Sequence, residues 1–222
     1  MNARDAARMI DISAVRTQHT LDDIMAVVTI AKKYQFINVH ALPNWVADLS
    51  RLLKDEKEVF VGAPVGFPGG GHKTSVKLLE AKELIADGVQ EMDIVMNVGR
   101  FKHGEYDYVL DELDQVIGLA PDGVKTKVII EINCLSDAEM DLACGLVMKT
   151  KADFIKTGTG WVSGNANVER IRRIKSLTDG KIRIKAAGGI RSRKEFDALV
   201  AMGVERFGIN TKSAMDIIES FQ

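Results

Sequence analysis

The chain has 222 residues, 46% of them hydrophobic and 27% charged, with a formal net charge of −1. That length is ample for a sizeable core, and the near-neutral balance argues against nucleic acid or an anionic membrane as the main partner. Cys134 and Cys144 have neither disulfide-framework nor metal-ligand spacing, residues 1–16 lack the apolar core of a signal peptide, and no apolar run is long enough to span a bilayer, so a globular protein of the reducing cytoplasm is expected.

Short apolar runs alternate with longer segments of helical period, and no Pro/Gly/Ser-rich linker divides them. Ile10-Asp11-Ile12-Ser13 reads as the first strand. Thr20 caps a helix starting at Leu21, where Asp22 and Asp23 favour the positive end of the helix dipole. Ile37-Asn38-Val39-His40 is the second strand, and Pro43-Asn44 opens a helix toward Leu53. The third strand, Val59 to Ala63, runs into Gly66-Phe67-Pro68-Gly69-Gly70-Gly71. From Thr74 to Ala86 the apolar positions Val76, Leu79, Leu84 and Ile85 predict a mostly one-sided helix.

Glu91 to Val95 is the fourth strand, followed by a helix over Tyr106 to Leu119 and a turn at Pro121-Asp122-Gly123. Lys127 to Glu131 is the fifth, and Ser136 with Glu139 makes a capping box for the helix after it. The sixth strand ends at Lys156, with Asn165 or Asn167 capping its helix; the seventh carries Lys185; the eighth is Arg206 to Ile209, before a last helix from Thr211 to Phe221. Eight strand–helix units fill the chain, which predicts an α/β fold, a (β/α)8 TIM barrel spanning residues 1–222 as a single domain, in preference to a doubly wound open sheet.

Two strand ends carry chemistry. Asp153-Phe154-Ile155-Lys156 places a lysine at the end of an apolar run, immediately before Thr157-Gly158-Thr159-Gly160. Ile184-Lys185-Ala186-Ala187-Gly188-Gly189 repeats the design 29 positions later (156 to 185), about one strand–helix–strand unit. Burial lowers the pKa of an ammonium, and a second ammonium nearby lowers it further, which makes a neutral amine nucleophile suited to Schiff-base chemistry with a carbonyl. Asp11 and Asp93 lie inside apolar strands, where ionised carboxylates need partners, and the lysines can supply them. With Glu131 these are the polar residues expected at the C-terminal end of the barrel, where such barrels hold their active sites.

At these residues the chain resembles the deoxyribose-phosphate aldolase family, class I Schiff-base aldolases on a TIM barrel. The match runs through Ile10-Asp11-Ile12-Ser13, Gly66-Phe67-Pro68, Glu91 to Val95, Val128 to Glu131, Phe154-Ile155-Lys156-Thr157, Lys185 to Arg191 and Arg206-Phe207-Gly208. The resemblance implies Lys156 as the Schiff-base lysine, Lys185 as the lysine that tunes it and Asp93 as the proton-transfer carboxylate, with no metal or organic cofactor. The expected substrate is an aldehyde or sugar phosphate, 2-deoxy-D-ribose 5-phosphate or a relative, and a homo-oligomer is the expected assembly. Asp11, Ser13, Thr159, Gly160, Gly188, Gly189, Gly208, Asn210 and Thr211 make up the expected substrate-binding set.

Backbone N–H groups after Gly188-Gly189 and at the start of the last helix offer an anion site, to which Arg191 and Lys212 could add charge. Here the sequence departs from the family. Ile209-Asn210-Thr211 stands where two small residues are usual, Gly158 where serine is, Trp161 where lysine or phenylalanine is common, and His40 where cysteine is frequent. Gly70-Gly71-His72 also departs from the pattern after Gly66-Phe67-Pro68. These departures leave another carbonyl donor or acceptor open. Trp161, His40 and His72 could shape the pocket, and each could equally be packing or surface. An isomerase or epimerase using Asp93 and Glu131 without an imine, or a non-catalytic barrel, are the other readings. The basic run Arg170-Ile171-Arg172-Arg173 reads as a solvated helix face.

Overall fold

Eight parallel strands pair in chain order and close on themselves: β1 (Ile10–Ala14), β2 (Asn38–Ala41), β3 (Phe60–Val65), β4 (Glu91–Val95), β5 (Lys125–Ile129), β6 (Phe154–Lys156), β7 (Arg183–Ala187) and β8 (Arg206–Gly208). Closure is made by β1 against β8, with Ile10 opposite Phe207 and Asp11 opposite Gly208, so the sheet is a barrel and not an open doubly wound one. The structure is a computed structural model that describes residues 1–164 and 168–221, and the expected caps at Asn165 or Asn167 lie outside the described residues.

Helix α1 (Ala3–Ala7) precedes the barrel, and α2 (Leu21–Tyr34), α3 (Val46–Leu53), α4 (Thr74–Ala86), α5 (Val98–Lys102), α6 (Tyr106–Ile117), α7 (Asp137–Val147), α8 (Val168–Thr178), α9 (Arg193–Ala201) and α10 (Thr211–Glu219) follow the strands. Thr20 and Ser136 cap α2 and α7 in reciprocal boxes with Asp23 and Glu139, and Ser192 caps α9 in the same way with Glu195. Each box satisfies donors that a helix start leaves unpaired.

Alternation along the strands decides what fills the barrel. Side chains of a strand point to opposite faces in turn. Ile10, Ile12, Val39, Met92, Ile94, Val128, Ile155, Ile184, Ala186 and Phe207 are buried in the core cluster with the helices. The positions between them, Asp11, Asn38, His40, Glu91, Asp93, Lys127, Lys156, Lys185 and Arg206, are buried and polar. Barrel interiors are ordinarily filled by bulky branched apolar residues, so this polar filling singles out the interior as a site.

Three local expectations are corrected. The inward stripe of α4 is Lys77, Ala81 and Leu84, while Val76 and Leu79 are 46% and 60% exposed. The apolar pattern missed it because the innermost anchor is a lysine, whose ammonium donates to Val95 O (2.9 Å) and to Glu112 (2.5 Å). Strand β5 stops at Ile129, and Glu131 takes a left-handed conformation (φ 52°) ahead of a 3-10 turn, its carboxylate accepting from the N–H and hydroxyl of Thr159. The short helix α5, capped by Asn97, was not foreseen.

Candidate active site

Asp93, wholly buried on β4, is the hub of the interior. Its Oδ2 lies 2.8 Å from Lys156 Nζ and 2.7 Å from Lys185 Nζ, and its Oδ1 lies 3.0 Å from Lys127 Nζ and 3.2 Å from His40 Nε2. Lys185 also reaches Asp11 Oδ2 at 2.5 Å. Arg206 forks between Asp11 Oδ1 (2.7 Å) and Glu91 Oε1 (2.6 Å), and Lys127 completes the ring at Glu91 Oε2 (2.6 Å). The sheet register builds this cluster, because Lys156 sits opposite Lys185, Lys185 opposite Arg206 and Asp93 opposite Lys127.

The charges do not balance. Three carboxylates (Asp11, Glu91, Asp93) face four cations (Lys127, Lys156, Lys185, Arg206), and an uncompensated charge in a desolvated interior is expensive. Lys127, Lys185 and Arg206 each contact two carboxylates, whereas Lys156 contacts Asp93 alone. Lys156 is therefore the cheapest cation to neutralise. Burial pushes its pKa down, Asp93 opposes, and the ammonium groups of Lys185 and Lys127 push it down further, to about 8. For Asp93 burial would act upward, but His40, Lys127, Lys156 and Lys185 outweigh it and hold the carboxyl well below the usual range. Burial lowers His40 to about 4 despite Asp93, so its ring is neutral near pH 7.

A cavity of about 780 Å³ opens at the C-terminal ends of the strands. Asp11, Ser13, Lys156, Thr159, Gly160, Lys185, Gly188, Gly189, Gly208, Asn210 and Thr211 all line it. Trp161 forms another part of the wall, edge-on to Phe67 (5.6 Å between rings) and under the guanidinium of Arg16 (5.3 Å). Gly188 and Gly189 turn the chain with φ of 97° and 79°, a region that favours glycine. Their N–H groups, with those of Asn210 and Thr211, meet no acceptor within the described protein.

No family model matches the chain. A deoxyribose-phosphate aldolase of Sinorhizobium medicae is 45% identical over 97% of this chain and 86% of its own length. The chain belongs to the deoxyribose-phosphate aldolase family. Among solved structures, one described as "QR15, an Aldolase" superposes with a TM-score of 0.91 at 35% identity, covering 98% of this chain and 96% of that one. The deoxyribose phosphate aldolase of Aeropyrum pernix, described as having a unique tetrameric structure, gives 0.90 at 28% identity, covering 99% and 92%.

Against that family, the expected site residues fall into two layers. All line the cavity except Asp93, which lies beneath it and reaches it through Lys156 and Lys185. His40 lines the cavity and is buried beside Asp93, whereas His72 is exposed and away from it. Arg191 lines the cavity and Lys212 does not. Glu131 is likewise absent from the lining, its carboxylate engaged by the N–H and hydroxyl of Thr159. The unpaired N–H groups are fewer than helix starts alone suggested, because Glu195 takes those of Arg191 and Ser192 (both 3.0 Å) and Asn210 takes that of Ser213 (3.0 Å).

Sequence reasoning did not find Glu91, Lys127 and Arg206 as partners of the lysines. Their signal was available: charged residues at alternate positions of apolar strands, in register with Asp11 and Asp93. Arg16 and Phe67 carry no such signal, since both stand on loops. Of the basic run on α8, Arg172 and Arg173 are solvated as expected and pair with Glu169 and Asp141, whereas Ile171 is buried and Arg170 is half-buried, donating to the carbonyls of Ile132 and Leu135. Among the described residues no helix is long and apolar enough to cross a membrane.

Proposed function

We propose that this chain is a class I aldolase that cleaves 2-deoxy-D-ribose 5-phosphate reversibly to acetaldehyde and glyceraldehyde 3-phosphate through an imine on Lys156. The observation that carries this is the amine of Lys156, lining the cavity with its pKa brought down to about 8 and its single counter-ion, Asp93, 2.8 Å away. A neutral amine adds to the open-chain aldehyde, and the carbinolamine loses water to give a protonated imine. That cation accepts the electron pair of the adjacent carbon–carbon bond as the neighbouring hydroxyl loses its proton. The three-carbon phosphate leaves as an aldehyde, and the remaining enamine takes a proton at carbon before hydrolysis frees acetaldehyde.

Asp93 moves the protons of these steps at Oδ2, the oxygen shared by both lysines. The ammonium of Lys185, paired with Asp11 and Asp93, pushes the pKa of Lys156 down. Asp11, Ser13, Thr159 and Gly160 border the reacting end of the substrate. The phosphate meets the free N–H groups of Gly188, Gly189, Asn210 and Thr211, with Gly208 leaving room beside Lys185. In the same proposal the chain acts as one barrel domain in a reducing cytoplasm, with both cysteines free, and as a homo-oligomer. Incubation with 2-deoxyribose 5-phosphate should release acetaldehyde and glyceraldehyde 3-phosphate in equal amounts. Release of neither, with a panel of other sugar phosphates cleaved instead, would move the proposal to another acceptor.

A further inference from the structure

Beside the lysine cluster, two buried side chains leave polar atoms unbonded. Both ring nitrogens of His40 and both amide atoms of Asn38 are buried with no well-formed hydrogen bond within the protein. Such groups are costly, and native structures rarely keep them without a use. They stand together on β2, two residues apart and directly over Gly62 of β3. A Cβ at position 62 would lie 2.5 Å from Asn38 Oδ1 and 2.5 Å from His40 Nδ1, so glycine there is what admits both side chains.

The imidazole has one near neighbour of opposite polarity. Nε2 lies 3.2 Å from Asp93 Oδ1, within hydrogen-bond distance but poorly aligned for one. Catalytic hydrogen bonds are often loose before substrate arrives and tighten in the reacting complex. Burial and the ammonium groups of Lys185 on β7 and Lys127 on β5 keep the ring neutral, against the opposing pull of Asp93 on β4 and Asp11 on β1. A neutral ring beside an ionised carboxylate is best placed with its proton on Nε2, the nitrogen that faces Asp93.

We propose that His40 is a positioning residue for proton transfer: its Nε2–H, beside the ammonium of Lys127, holds Oδ1 of Asp93 and so aims Oδ2, which keeps Lys185 as its partner once Lys156 is in the imine, at the proton on the carbon next to that imine. In that step the C–H bond breaks, its electron pair becomes the enamine double bond, the imine nitrogen loses its charge, and the proton passes to Asp93 Oδ2. Reprotonation reverses each change. Nothing else is consumed. The proposal rests on the Schiff-base reading, and its test separates the two.

The wild-type protein, given acetaldehyde alone in D2O, should exchange the donor methyl protons, and borohydride should fix the imine on Lys156. His40→Met should slow the exchange about tenfold to a hundredfold, the scale of a lost hydrogen bond to a charged group, while trapping at equilibrium stays at the wild-type yield. His40→Gln, which keeps an amide donor near the Nε2 position, should recover most of the rate. Wild-type exchange in His40→Met, or equal losses in both variants, overturns the proposal. No trapped imine in the wild type overturns the Schiff-base reading instead. Should His40→Met fail to fold, ring nitrogen chemical shifts of the wild type decide: a neutral ring protonated on Nε2 from pH 8 to pH 5 is expected, and a proton on Nδ1 or titration near the usual histidine value contradicts it.

Discussion

The two ends of the cavity are built on different principles. At the reacting end, Lys156, Lys185 and Asp93 belong to a closed set of ion pairs at 2.5–3.2 Å in which every member but Lys156 and His40 is held by two or more partners. At the other end, Gly188, Gly189, Asn210 and Thr211 offer backbone N–H groups on turns, and the nearby cations Arg16 and Arg191 are exposed. The first end tolerates change poorly, because removing a carboxylate, or a cation that bridges two of them, strands a buried charge. The second can exchange side chains outside its left-handed glycines, as at Thr211, since backbone donors survive substitution. Departures from the family pattern spare Lys156, Lys185 and Asp93 and fall at Ile209-Asn210-Thr211 on the second end, at Gly158 and Trp161 after the lysine strand, at Gly70-Gly71-His72, and at His40 inside the barrel.

The widest break between the two ends comes from Lys156→Ala. It should remove cleavage by on the order of a thousandfold or more, the scale of losing a covalent nucleophile, while phosphate-dependent protection against unfolding persists. A thermal-shift titration with inorganic phosphate beside a cleavage assay reads both. Asp93→Asn comes next, with kcat lower by about a hundredfold to ten-thousandfold as proton transfer is lost. Its KM for the phosphorylated substrate should barely move, because the residue lies beneath the cavity; a rise in KM with kcat unchanged would place Asp93 in binding.

The lysine pair was legible from the sequence because a costly residue at a strand end, repeated one strand–helix–strand unit later, has few structural excuses. So was the barrel, since the apolar runs and caps such as Thr20 and Ser136 each reported one local unit. The rest depended on what only closure supplies. Arg206 meets Asp11 and Glu91 because β8 returns to β1, a contact between residues 195 positions apart. Lys77 was missed because periodicity weighs residue types, and a lysine whose ammonium is bonded on both sides behaves as core. His40 was ambiguous, since the same imidazole suits a surface, a core or a site until its neighbours are known.

Lys185→Leu sharpens the comparison within the reacting end. Removing that cation lets Lys156 hold its proton longer, so the alkaline-going rise of imine formation should move to higher pH, with roughly a tenfold loss at pH 7 for each unit of displacement. An unmoved profile would mean the two amines are not coupled. The smallest effect is at the phosphate end. Contacts worth about 3 kcal/mol should favour glyceraldehyde 3-phosphate over glyceraldehyde by roughly a hundredfold in kcat/KM for the synthetic direction. Equal values would leave the N–H groups without a phosphate role and the lysine chemistry untouched.

Borohydride reduction of the wild-type protein with acetaldehyde, followed through pH and mapped by mass spectrometry, tests the claim on which the others depend. A single adduct on Lys156 is expected, with its initial rate of formation rising through pH of about 8 as the ammonium there gives up its proton. An adduct on Lys185 or Lys127 in place of Lys156, or a rate of Lys156 labelling that rises only near the ordinary lysine range, would contradict it.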